Sequence, residues 1–250
     1  MQYFDMHSHI LPNFDDGART VDDSLELLDC LKKQNVSNVC LTPHFYTNEM
    51  SVESFIEKRK AAYEDFLPYK PVNMNIVLGA EVYVTKFLFG SDDLSGLTYG
   101  KSHYILTEFS YSSSFSRKTL QELNMLIENH RLIPVLPHVE RYDVLMSDKE
   151  ALQELRDMGV IIQTNIGNYT KKTSIFKRRK LLKLIGEGMI DILGSDAHSM
   201  THNTPEVYSQ AVDMIADKCG ARTVRKMMQN AETIFTAALG EQLSGEYTDE

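Results

Sequence analysis

The chain has 250 residues, 42% of them hydrophobic and 24% charged, the composition of a globular protein with enough apolar side chains for a large core. A formal net charge of −9 speaks against a dedicated nucleic-acid binder, which would carry a basic footprint. Cys30, Cys40 and Cys219 form no Cys-x-x-Cys pair, which argues against a thiolate metal site, and no apolar run reaches the roughly 18 residues of a membrane span.

Apolar, β-rich runs alternate with longer amphipathic segments, the mark of a parallel α/β architecture. The first strand carries Phe4-Asp5-Met6-His7-Ser8-His9 and is followed by a turn at Asp15-Asp16-Gly17. A helix then opens with Thr20 as cap and Asp23 near its positive end, with Val21, Leu25, Leu28 and Leu31 as the buried face. A second strand over 38–44 and a charged helix over 52–67 lead to a third strand over 75–83 and an irregular excursion over 85–102. The fourth strand, 104–109, precedes a serine-rich loop, 110–116, and a helix to about 129. The fifth, 133–138, runs into Val139-Glu140-Arg141-Tyr142, and a helix with a capping box at Ser147 and Glu150 ends at Gly159. The sixth strand is 160–165, a basic helix spans 174–187, and the seventh strand is 190–198. Two or three helices, over about 205–218, 222–228 and 231–239, finish the chain, with a frayed polar tail expected from Glu241. With no repeat or linker, residues 1–250 read as one domain, and seven strands rather than eight imply an irregular closure.

Two histidines at i and i+2 of a strand point the same way, and neutral imidazole is a common ligand of divalent metals. Later strands end in the same manner. Collecting polar residues from strand ends gives His7, His9, Asp16, His44, Glu81, Glu108, His138, Asp196 and His198, whereas His103, His130 and His202 fall elsewhere. Singly, each has an ordinary reading: His44 caps a loop, and Glu81 and Glu108 pair with lysines. Jointly, five imidazoles and four carboxylates at one barrel mouth cannot stay buried without compensation. Divalent cations remove that cost. Nine ligands at about three to five per ion suit two or three ions. Three would leave a net charge of about +2 over the four carboxylates, a trap for a phosphate dianion, and two would leave about zero.

The stretches HSHILP, DDGA, TPH, GAEVY, PHVERY and SDAH together resemble the polymerase-and-histidinol-phosphatase (PHP) superfamily, and within it the capsule-type (CpsB-type) bacterial protein-tyrosine phosphatases. The resemblance runs from Met1 to about His202. It implies a distorted (β/α)7 TIM-like barrel with a manganese-preferring site at the C-terminal ends of the strands. It matches His7, His9, Glu81 and Asp196 to a first metal, Glu81 (bridging), Glu108 and His138 to a second, and Asp16, His44 and His198 to a third. Iron, zinc, cobalt or magnesium would also suit these ligand types. The implied activity is hydrolysis of phosphotyrosine on a protein, the C-terminal tail of a bacterial tyrosine autokinase that controls capsule or exopolysaccharide synthesis. The expected location is the cytoplasm, because the first residues enter a strand with no basic and apolar leader.

The expected mechanism is metal-assisted phosphomonoester hydrolysis, with a hydroxide shared between two metals as nucleophile. Arg141 matches the family's phosphate-binding arginine, and a guanidinium can bond two phosphoryl oxygens at once. The family's second arginine has no counterpart in residues 199–205, so His202 or Asn203 is expected to take a weaker version of that role. Tyr83, Phe14 and Tyr46 are the candidates for stacking on a substrate ring. The run Lys171, Lys172, Lys177, Arg178, Arg179, Lys180 and Lys183 reads first as a solvated cationic face and second as a dock for an acidic, tyrosine-rich peptide. Two other functions compete: a small-molecule phosphatase of the histidinol-phosphatase type, and a non-catalytic metal-binding regulator of the kinase tail.

Overall fold

The computed structural model describes residues 2–240, so the tail expected from Glu241 lies outside the described residues. Nine short strands form: β1 (Tyr3–Asp5), β2 (Val36–Leu41), β3 (His44–Phe45), β4 (Asn75–Leu78), β5 (Glu81–Tyr83), β6 (Tyr104–Glu108), β7 (Ile133–Leu136), β8 (Ile161–Asn165) and β9 (Ile192–Gly194). All pairs are parallel, in the orders β1-β2-β4 and β3-β5-β6-β7-β8-β9. The nine overlap the seven expected stretches, overrunning them by at most two residues, and outnumber them because the second and third are each interrupted once.

Both interruptions have local causes. Pro43 has no N–H to give the ladder and separates β2 from β3. Gly79 separates β4 from β5 at a crowded point, where a Cβ would sit 3.1 Å from the Tyr99 ring and 3.2 Å from Thr42 Cγ2. Register survives the kink: Leu41 faces Leu78, and His44 faces Glu81.

The sheet curls until its first and last stretches meet. Asp196 N–H donates to His7 O (2.7 Å), His9 N–H donates to Ala197 O (2.9 Å), and Ser8 and Ala197 form a parallel bridge. The first and last strand stretches are thereby fastened side by side at the mouth.

Eight α-helices accompany the strands: α1 (Val21–Lys33), α2 (Val52–Phe66), α3 (Arg117–Asn124), α4 (Asp143–Ser147), α5 (Lys149–Asp157), α6 (Ile175–Gly186), α7 (Tyr208–Cys219) and α8 (Ala221–Leu239). Thr20 caps α1 as expected, the Asp23 side chain completes a capping box with it, and Leu28 and Leu31 are buried. One expectation is corrected. The cap of α5 is Asp148, which accepts the Ala151 N–H, because the Ser147 hydroxyl donates to Asp143 O in the preceding helix. Of the two or three final helices expected, two form, and residues 222–239 lie in the single helix α8: Val224, Met227, Met228, Ala231, Ile234, Phe235 and Ala238 form an unbroken apolar face, and polar Gln229 and Asn230 lie off it. The excursion after β5 holds only 3₁₀ turns at Leu88–Gly90 and Ser95–Leu97.

Candidate metal centre

The strand ends converge on one cluster. His7, His9, Glu81, His138 and Asp196 are almost wholly buried, and four overlapping groups of possible ligand atoms each lie within 4.8 Å of one another: His7, His9 and Asp196; His7, Glu81 and His138; His44, Glu81 and Glu108; and His9, Asp16, His44 and His198. Every one of the nine strand-end residues belongs to at least one group. The curl that joins the first and last strand stretches accounts for this, since it sets His7 and His9 beside Asp196 and His198.

Ring orientation shows which nitrogens face inward. His9 Nδ1–H donates to Asp15 Oδ2 (2.7 Å), His7 Nδ1 faces Gln163 Oε1 (3.4 Å), and His198 Nδ1–H donates to Asp196 O (2.8 Å). With each Nδ1 engaged, the Nε2 atoms carry the lone pairs. Those of His7 and His9 confront each other at 3.1 Å. Glu81 Oε2 lies 3.3 Å from both, and Asp196 Oδ1 lies 3.6 Å from His7 and 3.4 Å from His9.

The other oxygen of Glu81 turns the opposite way, with Oε1 2.8 Å from His138 Nε2, and Glu108 Oε1 lies 3.5 Å from the same nitrogen. Asp16 Oδ1 faces His44 Nε2 (3.6 Å) and His198 Nε2 (3.5 Å) from the exposed side of the cluster. The ring nitrogen His44 Nδ1 is buried 3.0 Å from Glu81 Oε2, but its geometry makes no hydrogen bond.

The protonation tendencies of the cluster are those of a site short of positive charge. Burial disfavours charge on His7 and His9, yet Glu81 and Asp196 beside the first and Asp15 beside the second raise both above the ordinary imidazole range. Burial acts to raise Glu81 and Asp196 too, but the neighbouring imidazoles hold both carboxyls below their ordinary values. Glu108 goes up, through burial and the charge of Glu81. Lone pairs that confront each other, two carboxylates between them and an unpartnered buried imidazole nitrogen are what divalent cations satisfy, so the residues present fit such ions.

Backbone strain coincides with the cluster. His138 (φ 37°) and Asp196 (φ 54°) are in the left-handed region, where a non-glycine residue persists only if its surroundings hold it.

The cluster opens to a cleft of about 370 Å³ rimmed by Tyr46, Tyr83, Tyr111, Arg141, His202 and Asn203. Arg141 sends one nitrogen to Asp196 Oδ2 (2.5 Å) and another to the Tyr111 hydroxyl (2.9 Å). Tyr111 donates in turn to Glu108 Oε1 (2.5 Å). Asn203 Nδ2 donates to Asp196 Oδ2 (3.0 Å), and the His202 ring stands 5.3 Å from that of His198. Of the stacking candidates, Tyr46 and Tyr83 reach the cleft, while Phe14 packs edge-on against Phe55 inside.

Residues 3–236 match the family described as Capsular polysaccharide synthesis, CpsB/CapC. The chain belongs to that family. Among its relatives is the tyrosine-protein phosphatase CpsB of Streptococcus pneumoniae, 29% identical over 235 residues, with 89% of this chain and 93% of that protein covered. The tyrosine-protein phosphatase YwqE of Bacillus subtilis is 25% identical over 247 residues, with 92% and 91% covered. A solved structure described as one of the metal-dependent tyrosine phosphatases YwqE and CpsB superposes with a TM-score of 0.79 at 21% identity, covering 96% of this chain and 95% of that one. That likeness shows that this CpsB/CapC chain has their curled α/β fold.

Four residues of this CpsB/CapC site escape a reading of strand ends. Asp15 orients His9 and also accepts the His44 N–H (3.0 Å), a supporting role that sets it apart from its neighbour Asp16 only through these contacts. Tyr111 lies in a serine-rich loop with no periodicity to mark it. Gln163 and Asn165 end β8 with amides, which carry no metal-ligand signature.

Proposed function

We propose that this CpsB/CapC chain is a metal-dependent protein-tyrosine phosphatase built on a distorted (β/α)7 barrel. The observation that carries the proposal is the adjacency of three ligand clusters and a half-exposed arginine in one open cleft. His7, His9, Glu81 and Asp196 would hold a first cation, Glu81, Glu108 and His138 a second, and Asp16, His44 and His198 a third. Divalent cations there supply an activated water and a positive field for the phosphoryl oxygens, and manganese is the metal we assign. Arg141 binds the phosphoryl group through its planar fork, and Asn203 and His202 complete that side of the cleft. Tyr46 and Tyr83 flank the substrate ring. A phenolate (pKa about 10) is a better leaving group than an alkoxide, so the chain needs no strong proton donor opposite it.

The substrate we assign is a phosphotyrosine-bearing protein segment, the tail of a bacterial tyrosine autokinase in the cytoplasm. A second groove of about 350 Å³ supports a protein substrate: it shares Arg141 and Asn203 with the cleft and is bordered by Lys172 and Lys177. Among the described residues neither lysine has a carboxylate within 4.0 Å, and Phe176 beside them is 80% exposed. Arg178 takes no part in this surface, because its guanidinium donates to Thr170 O (2.6 Å) and fastens the loop.

Metal-stripped protein should not hydrolyse a phosphotyrosyl peptide, and adding manganese back should restore turnover. A panel of phosphotyrosyl peptide, phosphoseryl peptide and histidinol phosphate should favour the first. Preference for histidinol phosphate would assign a small-molecule phosphatase, and peptide binding without turnover in manganese would assign a regulator.

A further inference from the structure

Six of the seven expected strand stretches end in, or just before, a ligand-type residue; β8 ends in Gln163-Thr164-Asn165. Both amides are buried, and their hydrogen bonds run across the floor of the site. Gln163 Oε1 accepts the His138 backbone N–H (2.8 Å) and faces His7 Nδ1 (3.4 Å). Its Nε2 donates to Asn165 Oδ1 (2.9 Å), and Asn165 Nδ2 donates to Asp196 Oδ2 (2.8 Å). Glu140 anchors the far end, taking the Asn165 backbone N–H (3.0 Å) and the Thr164 hydroxyl (2.8 Å). There is no slack at the near end: a Cβ on Gly194 of β9 would lie 2.7 Å from both Gln163 Nε2 and His7 Cβ.

We infer that Gln163 and Asn165 are positioning residues that hold His7, His138 and Asp196 in their metal-binding geometry. The reason for amides is directional. Oε1 of Gln163 accepts from His7 Nδ1–H, which keeps the Nε2 lone pair pointing into the cluster, and outer partners of this kind fix both tautomer and ring angle. The same side chain must donate at its other end, which a carboxylate cannot do. A further carboxylate would also add negative charge to a cluster that already holds Asp15, Asp16, Glu81, Glu108 and Asp196. His138 has a further need of the bond, because its left-handed backbone requires an external hold.

This inference rests on the proposed metal site, and the test separates the two. Manganese alone is titrated into stripped wild type, Gln163→Leu, Gln163→Glu and Asn165→Ala by calorimetry, with metal-free thermal unfolding recorded for each. Gln163→Leu and Asn165→Ala should bind manganese about 10- to 100-fold more weakly. Gln163→Glu, which keeps the acceptor toward His7 and His138, should lose less than Gln163→Leu. If wild type binds no manganese, the metal site itself is refuted. If wild type binds and the folded variants bind equally well, with only their melting temperatures lowered, the amides are structural and the inference is overturned. Should Gln163→Leu not fold, Asn165→Ala carries the same comparison.

Discussion

Arg141 lies against Asp196, its guanidinium 2.5 Å from Oδ2, while Oδ1 of the same carboxylate looks toward His7 and His9. One carboxylate therefore ties the phosphate-binding candidate to the first ligand cluster. Arg141→Ala should lower kcat/KM for phosphotyrosyl peptide by about 10²- to 10³-fold, the cost of removing one preorganised donor. Arg141→Lys, which keeps the charge but not the fork, should fall between. Bound metal should be unchanged in both, since Asp196 retains Asn165 and Asn203. Steady-state kinetics with metal analysis of the same samples checks this.

Tyr111 links Arg141 to Glu108, so Tyr111→Phe should free both ends of that bridge. A roughly tenfold loss in kcat/KM, mostly as a rise in KM, is expected from one hydrogen bond to charged groups. Equal KM for the variant and wild type would remove Tyr111 from substrate binding.

Protons compete with metal at His7 and His9, whose pKa values are raised by the adjacent carboxylates against the effect of burial. An imidazole must lose its proton to bind a cation, so manganese affinity should climb as pH rises through the neutral range, with proton release. Calorimetric titrations in buffers of different ionisation enthalpy would measure it. A flat profile between about pH 6 and 8, which spans the ordinary imidazole range, would contradict it.

Asp5 sits beneath the site, accepting the Ser195 N–H (2.7 Å) and hydroxyl (2.5 Å), and burial pushes its carboxyl from 3.8 up to about 6. The folded state thus holds the proton more tightly than the unfolded chain. Its contribution to stability is full below the unfolded value and is lost as pH rises through about 6. Asp5→Asn remains neutral throughout, so the stripped variant should gain on stripped wild type by about 3 kcal/mol from acid to neutral pH. Urea unfolding at both ends of that window would measure the change.

Lys172 and Lys177 border the groove beside Arg141. Exchanging both for Glu should weaken hydrolysis of an acidic phosphotyrosyl protein about tenfold or more, yet leave p-nitrophenyl phosphate almost untouched. Equal effects on both substrates would discard the groove as a docking surface.

The ligand candidates were readable because strand geometry and chemistry leave a joint trace. Two side chains at i and i+2 share a face, and His7/His9 and Asp196/His198 both use that spacing. The supporting residues leave no such trace: Gln163 differs from any strand-end amide only through contacts made 25 and 156 residues away. Asp148 displaced Ser147 as the cap of α5 because the short helix α4 claims the serine hydroxyl, and a periodicity reading does not anticipate that helix. The kinks at Pro43 and Gly79 keep register, so hydrophobic pattern alone reads each kinked pair as one strand.

The seam between the outermost strands has a consequence for biosynthesis. His7 and His9 leave the ribosome well ahead of their partners Asp196 and His198, which lie 189 residues further along the chain. A nascent polypeptide can collapse, but it cannot present both halves of the proposed centre until residues 196–198 have emerged, so any metal loading would have to wait for them.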